Sequence, residues 1–176
     1  MPHLRAAGPV SALAASALIA LVGCRSTGPP STAGPGTGVG GAVVERIVDG
    51  DTVDVDIGGR VERIRLIGID TPETKDQDSP VECYGPEATA LTELLVPPGT
   101  AVRLERDVEA RDDYGRLLAY VHRSDGLFVN VELARQGAAT VLSIRPNTAY
   151  ADVIADAVDE ARRAGRGLWS ACPASS

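Results

Sequence analysis

Apolar and polar residues alternate along the chain from about residue 42, and this alternation predicts β-strands. The first three predicted strands lie at residues 43–48, 53–57 and 64–69. They are separated by the dipeptides Asp49-Gly50 and Gly58-Gly59, which are typical of tight hairpin turns. Gly68 is expected to bulge or bend the third strand. Three consecutive antiparallel strands of this kind are typical of the start of a small, curled barrel.

From Pro86 onwards the apolar residues recur mostly at helical spacing, with two more strands between the helical segments. Helices are predicted at residues 86–96, 130–136 and 150–164, and strands at 102–104 and 117–121. The apolar face of the first helix consists of Ala88, Leu91, Leu94 and Leu95. That of the third consists of Tyr150, Val153, Ile154, Ala157, Val158 and Ala161. The pattern predicts an α+β, mainly β, fold: a five-stranded OB-type barrel with three helices.

The third strand ends in a group of charged residues. Arg65 lies on this strand, Asp70 follows it, and Glu73 comes directly after Pro72, which stops the strand. Two carboxylates within four residues at a strand end are typical of half of a hard-cation site. A polar loop after a strand is an equally good interpretation of this segment by itself. Asp51 shares the parity of the core valines of the second strand, so its side chain is expected to point into the mouth of the barrel.

The composition limits how the protein could contact nucleic acid or metal. The formal net charge of the 176-residue chain is −7, which argues against binding polynucleotides through a general basic surface. Phosphate chemistry would therefore depend on local arginines and a metal ion. His122 is the only histidine after residue 23, so His-ligated zinc sites and histidine-based nuclease sites are not expected. The sequence also contains no P-loop, Gly-x-Ser-x-Gly or Rossmann motif.

The first 41 residues differ in composition from the rest of the chain and predict export and tethering. Residues 1–23 combine Arg5 with an apolar run that suits a secretory signal peptide. The run ends in Leu21-Val22-Gly23-Cys24, which resembles the lipobox of bacterial lipoproteins. The resemblance implies cleavage before Cys24 and a diacylglyceryl group on its thiol, whereas a plain signal peptide is the alternative. Residues 24–41, rich in Gly, Pro, Ser and Thr, are predicted to be a flexible tether before a folded domain at 42–176.

Five short segments of this domain carry a resemblance to a known family. They are Asp49-Gly50-Asp51-Thr52, Arg65-Leu66-Ile67-Gly68-Ile69-Asp70-Thr71-Pro72-Glu73-Thr74, Tyr84-Gly85-Pro86-Glu87-Ala88, Asp113-Tyr114-Gly115-Arg116-Leu117-Leu118-Ala119-Tyr120 and Arg135-Gln136-Gly137. Together and in this order they resemble the staphylococcal nuclease (thermonuclease) family. The resemblance covers about residues 43–169, nearly the whole predicted domain. It implies an OB-type barrel of five strands with three helices, in agreement with the pattern of apolar positions.

The resemblance also implies a role for each residue of a phosphodiester-cleaving site. Asp51 and Asp70 would be carboxylate ligands of a Ca²⁺ ion, and the backbone carbonyl of Thr71 would be a third ligand, with Asp49 just outside this shell. Several hard oxygen donors in irregular geometry suit calcium. The other implied roles are general base for Glu73, binding of the scissile phosphate for Arg65 and Arg116, and contact with a substrate phosphate for Tyr114. Alternatively, the two arginines could form surface ion pairs with acidic residues of the second strand, Asp54 or Asp56.

The chain departs from the family pattern beside the implied site. Leu142 and Ile144 stand where the family has aromatic residues that pack on the nucleotide base, so base stacking is expected to be weaker here. Asp113 replaces a family lysine next to the tyrosine of the Tyr-Gly-Arg segment and adds negative charge near the path of the substrate. Base preference and substrate affinity are therefore not expected to follow the family, although the catalytic set is complete.

Cys83 and Cys172 remain after Cys24 is assigned to lipid attachment. In an exported domain an even pair of cysteines predicts a disulfide, which would join the loop before the first helix to the C-terminal tail. Two free thiols are the alternative interpretation.

The resemblance implies a monomeric, calcium-dependent nuclease that hydrolyses phosphodiester bonds of DNA and RNA and leaves 3′-phosphate ends. The N-terminal segments place it at the cell envelope, anchored through Cys24 to the outer face of the cytoplasmic membrane or shed from it. Two other hypotheses are a catalytically inactive OB-type module that binds nucleic acid or a protein partner, and a structural envelope lipoprotein with a vestigial pocket. Inactive modules typically lack part of the catalytic set.

The lipid anchor can be tested directly. Mass spectrometry of the mature protein from a host that processes bacterial lipoproteins is expected to find an N-terminal Cys24 that carries a diacylglyceryl group. A mature N-terminus at any other residue would contradict the anchor and favour a plain signal peptide.

Overall fold

The computed structural model describes residues 39–74 and 80–172. The predicted signal peptide at 1–23, Cys24 and nearly all of the predicted tether lie outside the described residues. The first strand begins at Val39, three residues before the predicted start of the folded domain at Ala42. Within the described residues, no helix is both long and apolar enough to cross a membrane.

Seven strands and four helices make up the described chain. The strands are β1 Val39–Ile47, β2 Thr52–Ile57, β3 Val61–Leu66, β4 Gly68–Asp70, β5 Ala101–Glu105, β6 Leu117–Arg123 and β7 Thr140–Leu142. The helices are α1 Gly85–Leu95, α2 Val129–Arg135, α3 Ala151–Arg163 and the one-turn α4 Leu168–Ala171. All five strands and all three helices expected from the sequence are present, although the predicted third strand at 64–69 is divided into β3 and β4; β7 and α4 are short additions.

Five of the strands close into a barrel in the order β1-β2-β3-β6-β5, with β5 pairing back onto β1. Every pair in the barrel is antiparallel except β3 and β6, which run parallel with Ile64 opposite Leu117. The buried interior is built mainly of aliphatic residues, among them Val53, Val55, Leu66 and Leu104. The predicted five-stranded OB-type fold is therefore confirmed.

The chain bends sharply between β3 and β4, as the sequence predicts for Gly68. The φ angle of Gly68 is 86°, a left-handed conformation that glycine adopts without strain. A Cβ atom at this position would lie 2.4 Å from Cδ1 of Ile154 on α3, so the bend also depends on close packing. Beyond the bend, β4 leaves the barrel and pairs with β7, with Gly68 opposite Leu142.

Helices α1 and α3 bury slightly different faces from those predicted. Leu94 is 74% exposed and Val153 is 49% exposed, so their assignment to the apolar faces is wrong. On α1 the fully buried side chains are those of Ala88, as predicted, and Thr92. Oγ1 of Thr92 donates to the carbonyl oxygen of Gly50 at 2.6 Å, and this bond ties α1 to the turn between β1 and β2. A buried threonine is stable here because its hydroxyl has a partner.

Helix α2 is attached to the barrel through the side chain of Asn130, which is fully buried. Its Oδ1 accepts from the backbone N–H of Val121 on β6 at 2.9 Å. Its Nδ2 donates to the carbonyl oxygen of Ile67, just before the bend, also at 2.9 Å. One amide group therefore satisfies two buried backbone groups and helps to hold the bend in place.

Cys83 and Cys172 form the predicted disulfide, with their Cα atoms 5.8 Å apart. The bond joins the segment before α1 to the residue after α4. It crosslinks positions that are 89 residues apart in the sequence, so it restricts most of the domain in the unfolded state.

Removal of the disulfide is expected to lower thermal stability. In the chain-entropy model, closing a loop of this length with a disulfide raises the free energy of unfolding by at most about 4–5 kcal/mol. The double variant Cys83→Ala/Cys172→Ala should therefore melt roughly 5–15 °C below the oxidised protein. Circular dichroism melting measures the change, and wild-type protein in reductant serves as the matched control. Equal melting temperatures for the variant and the oxidised wild type would show that the crosslink does not contribute.

Candidate active site

A cavity of about 530 Å³ opens at the rim of the barrel, between the start of β2, the β3–β4 bend and the loop before β6. Its walls include every residue predicted to act in catalysis, metal binding or substrate contact: Asp49, Asp51, Arg65, Asp70, Thr71, Glu73, Tyr114 and Arg116. These residues come from segments up to 67 positions apart, as the numbers of Asp49 and Arg116 show. The fold therefore collects all of them at one opening.

Asp51 is buried at the start of β2 and is held from two sides. Its Oδ2 accepts from the backbone N–H of Thr71 at 2.8 Å and from the Thr71 hydroxyl at 3.0 Å. Its Oδ1 accepts from the Thr52 hydroxyl at 3.2 Å. This approach of two chain segments requires Gly50, because a Cβ atom there would lie 2.6 Å from Oγ1 of Thr71. The position of Asp51 thus depends on a glycine in the preceding turn.

Arg65 lies between the two predicted metal ligands, with only 11% of its side chain exposed. Its Nε is 3.2 Å from Oδ1 of Asp51, and a terminal nitrogen is 3.0 Å from Oδ1 of Asp70. The other terminal nitrogen donates to the carbonyl oxygens of Leu66 and Ile69, which the bend at Gly68 turns toward the same point. The guanidinium is therefore fixed by two carboxylates and two carbonyls.

The carboxylates of the cavity repel one another. Burial raises the pKa of Asp70, and the neighbouring Asp51 and Glu73 raise it further, while Arg65 opposes the rise. Burial, and then the charge of Asp51, likewise raise the pKa of Asp49. A positive ion in the cavity would relieve this repulsion.

The donors fit a hard cation, although they are few. Among residues 39–74 and 80–172, no three His, Cys, Asp or Glu side chains converge as a ready-made metal cluster. Asp51 and Asp70 could supply carboxylate oxygens and Thr71 its carbonyl oxygen, and water would complete a shell of the kind that Ca²⁺ accepts. The four donors around Asp51 already fill its lone pairs, so a cation would replace one of them. Of these donors, Arg65 is the one that also binds Asp70.

Arg116 is positioned from the opposite wall by the loop that precedes β6. Oδ2 of Asp112 accepts from its Nε at 2.7 Å, and Oδ1 accepts from its backbone N–H at 2.9 Å. Partial burial would raise the pKa of Asp112, but the hydrogen bonds from Arg116 outweigh burial and lower it. The guanidinium also lies over the ring of Tyr114, 5.4 Å from its centroid. Neither arginine pairs with Asp54 or Asp56 in the described structure, so the surface ion-pair alternative is wrong.

Glu73 lies at the rim, after the turn made by Pro72, and is exposed. Its Oε1 accepts from the backbone N–H of Thr74 at 2.9 Å, and its own backbone N–H donates to Oε2 of Glu82, also at 2.9 Å. Glu73 also lines the cavity, so the residue that the resemblance implies as general base is presented there by a loop that Glu82 helps to hold.

Comparison with known proteins agrees with this geometry. Residues 63–171 match the family described as Staphylococcal nuclease homologue. The chain belongs to the staphylococcal nuclease family. It is 43% identical to the thermonuclease of Staphylococcus intermedius over 127 residues, which cover 72% of this chain and 74% of that protein. It is 41% identical to the thermonuclease of Staphylococcus hyicus over the same shares of both chains. It is also 40% identical to endonuclease YncB of Bacillus subtilis over 129 residues, 72% of this chain and 60% of that protein.

This member of the staphylococcal nuclease family has an aliphatic wall on one side of the cavity. Leu142 and Ile144 line it together with Ile67, Ile69 and Leu118. Ile144 is 63% exposed, so it presents apolar surface to anything that enters the opening. The two positions where the resemblance implies aromatic side chains thus belong to the cavity, as predicted.

Sequence reasoning missed the residues that hold the loops of the site. Asn147 is buried, and its side-chain amide exchanges hydrogen bonds with the backbone N–H and C=O of Glu109 at 2.8 and 3.0 Å. Asp112 is equally important because it orients Arg116. Asp112 and Arg116 are four residues apart across a glycine turn, and this spacing could have predicted their ion pair. The contact between Asn147 and Glu109 could not be predicted from local sequence, because the two residues are 38 positions apart.

The support that Thr71 gives to Asp51 can be tested with isosteric variants. Thr71→Val removes one hydrogen bond to a buried carboxylate and is expected to cost about 1–3 kcal/mol of stability. Thr74→Val is the matched control, since the buried hydroxyl of Thr74 makes no hydrogen bond to the described residues. Denaturant unfolding should show a loss for Thr71→Val and no loss for Thr74→Val. Equal effects would contradict a specific role for the Thr71 hydroxyl.

Proposed function

We propose that this protein is a Ca²⁺-dependent nuclease that hydrolyses phosphodiester bonds of DNA and RNA and leaves 3′-phosphate ends. The observation that carries the proposal is one cavity that contains oxygen donors for a cation, two guanidiniums and an exposed carboxylate. The names of the relatives, thermonuclease and endonuclease, support the same reaction class.

The two arginines would bind the scissile phosphate from opposite walls. A guanidinium can donate two parallel hydrogen bonds to phosphate oxygens, and it keeps its charge at any physiological pH. Arg65 is held by the β3–β4 bend, and Arg116 by Asp112, before substrate arrives. Such preorganised donors stabilise the negative charge that develops on the phosphorane oxygens. The substrate phosphate would share Arg65 with Asp51 and Asp70.

Glu73 would act as the general base. Its carboxylate accepts a proton from a water molecule whose oxygen forms a bond to phosphorus, while the bond from phosphorus to the 5′ oxygen breaks. The leaving oxygen takes a proton from solvent, and the phosphate stays on the 3′ side. A cation held by Asp51, Asp70 and the Thr71 carbonyl would supply positive charge for the phosphate and the attacking oxygen.

We also propose that the enzyme works outside the cytoplasm as a monomer, anchored through a lipid on Cys24 to the outer face of the cytoplasmic membrane or shed from it. The Cys83–Cys172 disulfide supports an oxidising compartment. A tether formed by residues 24–38, the part of the predicted tether that precedes β1, would reach on the order of 20 Å and so hold the barrel clear of a membrane surface.

Digestion of single-stranded DNA tests the proposal. The mature protein should degrade the substrate in Ca²⁺ and not in excess chelator, and Asp51→Asn should lower the rate by roughly a hundredfold or more because it weakens the cation site. Saturating Ca²⁺ should also raise the melting temperature of the wild type more than that of Asp51→Asn.

Asp159→Asn is the control for the loss of one negative charge, since Asp159 is exposed on α3. It should digest DNA at the wild-type rate. Equal digestion in Ca²⁺ and in chelator would contradict the metal requirement. Binding of DNA without cleavage under all of these conditions would favour an inactive OB-type module.

A further inference from the structure

A second groove lies directly beside the candidate active site. It has a volume of about 750 Å³ and runs over the outer face of β2 and β3. Asp49, Thr52, Tyr114 and Arg116 line both the groove and the cavity. A ligand that leaves the cavity past Tyr114 and Arg116 therefore enters this groove without crossing open protein surface. We call it the Arg63 groove, after the arginine that lines it.

The geometry of β3 places Arg63, in the groove, close to the two arginines of the cavity. Arg63 and Arg65 are two residues apart on β3, so both side chains leave the same face of the strand, about 6.6 Å apart along it. The parallel pairing of Ile64 with Leu117 places Arg63 beside Arg116 on the neighbouring chain segment. Three arginines thus lie close together, and only Arg63 is outside the proposed catalytic set.

The charged residues that line the groove are Asp49, Asp54, Arg63 and Arg116, and a further arginine, Arg46, adjoins it at Asp54. Asp54 is buried, and its Oδ1 accepts from Nε of Arg63 at 2.9 Å while its Oδ2 accepts from a terminal nitrogen at 3.2 Å. Arg46 binds the same carboxylate from β1. Two guanidiniums on one carboxylate leave a net positive charge, and their side chains are 48% and 60% exposed. Asp49 also lines the groove, at the end that it shares with the cavity.

Apolar surface flanks this charge. Val61 is 62% exposed and Tyr114 is 86% exposed, and both line the groove. Arginines interleaved with exposed apolar and aromatic side chains suit a single nucleic-acid strand, whose phosphates need cations and whose bases need surfaces to pack on. In a protein with a net charge of −7, a phosphate has to bind to such individual guanidiniums and not to a general basic surface.

We propose that the Arg63 groove binds the phosphodiester backbone of the substrate next to the nucleotide at the cleaved bond, with Arg63 contacting a flanking phosphate. The proposal rests on the proposed nuclease function and adds a subsite to it. It implies that substrates long enough to reach the groove bind more tightly than a single-nucleotide diester, and that this gain depends on Arg63.

The test compares Arg63→Ala with the wild type on two substrates. For a single-stranded 12-nucleotide DNA, the variant is expected to raise KM about three- to fivefold with kcat unchanged, because it loses one exposed ionic contact. The slope of log KM against log salt should fall by about 0.7, since one phosphate is no longer neutralised. For a single-nucleotide 4-nitrophenyl phosphodiester, neither KM nor kcat should change, because this substrate ends at the cavity.

Arg103→Ala is the matched control, since Arg103 is 50% exposed and paired with a carboxylate on β5, away from the groove. It should leave both substrates unaffected.

Equal losses on both substrates would overturn the proposal, because Arg63 would then act through the catalytic cavity or the fold. An unchanged KM for the longer substrate would overturn it as well. If the wild type cleaves neither substrate, the proposed nuclease function fails, and fluorescence anisotropy with the labelled DNA tests the groove separately. In that case equal affinity of the wild type and Arg63→Ala would overturn the groove.

Discussion

The bend of the chain at Gly68 is the constraint on which the rest of the site depends. A straight strand would carry Asp70 and Thr71 along the barrel wall and away from the turn that contains Asp51. The left-handed conformation of Gly68, packed against Ile154, instead turns the chain back toward the rim. As a result Thr71 donates twice to Asp51, and the carbonyls on either side of the bend accept from Arg65.

A second constraint follows from the acidity of the protein. With a net charge of −7, it cannot attract phosphates over its whole surface, so the few cations that face the substrate must be placed accurately. Carboxylates do much of this placing. Asp112 fixes Arg116, Asp51 and Asp70 fix Arg65, and buried Asp54 fixes Arg63 and Arg46. Each of these acids orients a guanidinium that keeps at least one N–H for a phosphate.

Individual residues show which structural features can be predicted from local sequence pattern and which cannot. Alternation of apolar and polar positions predicts the barrel strands, and the Asp-Gly and Gly-Gly turns predict their connections, because both depend on near neighbours in the chain. Periodicity predicts that Leu94 and Val153 lie on buried helix faces, but both are exposed. It shows which residues share a face and not which part of that face the barrel covers. Thr92 is buried because the carbonyl of Gly50, 42 positions earlier, is there to accept its proton.

The barrel strands, the bend at Gly68 and the paired cysteines can all be predicted from the sequence. Its ordered motifs also predict the family and the main residues that line the cavity. These features are carried by local spacing, by turn residues or by recognisable strings. Three features become visible only in the folded protein: the donors around each carboxylate, the support that Asn130 and Asn147 give to the bend and the loops, and the continuation of the cavity into the Arg63 groove. Such contacts join residues tens of positions apart, and their geometry exists only once the sheet has closed and β3 lies beside β6.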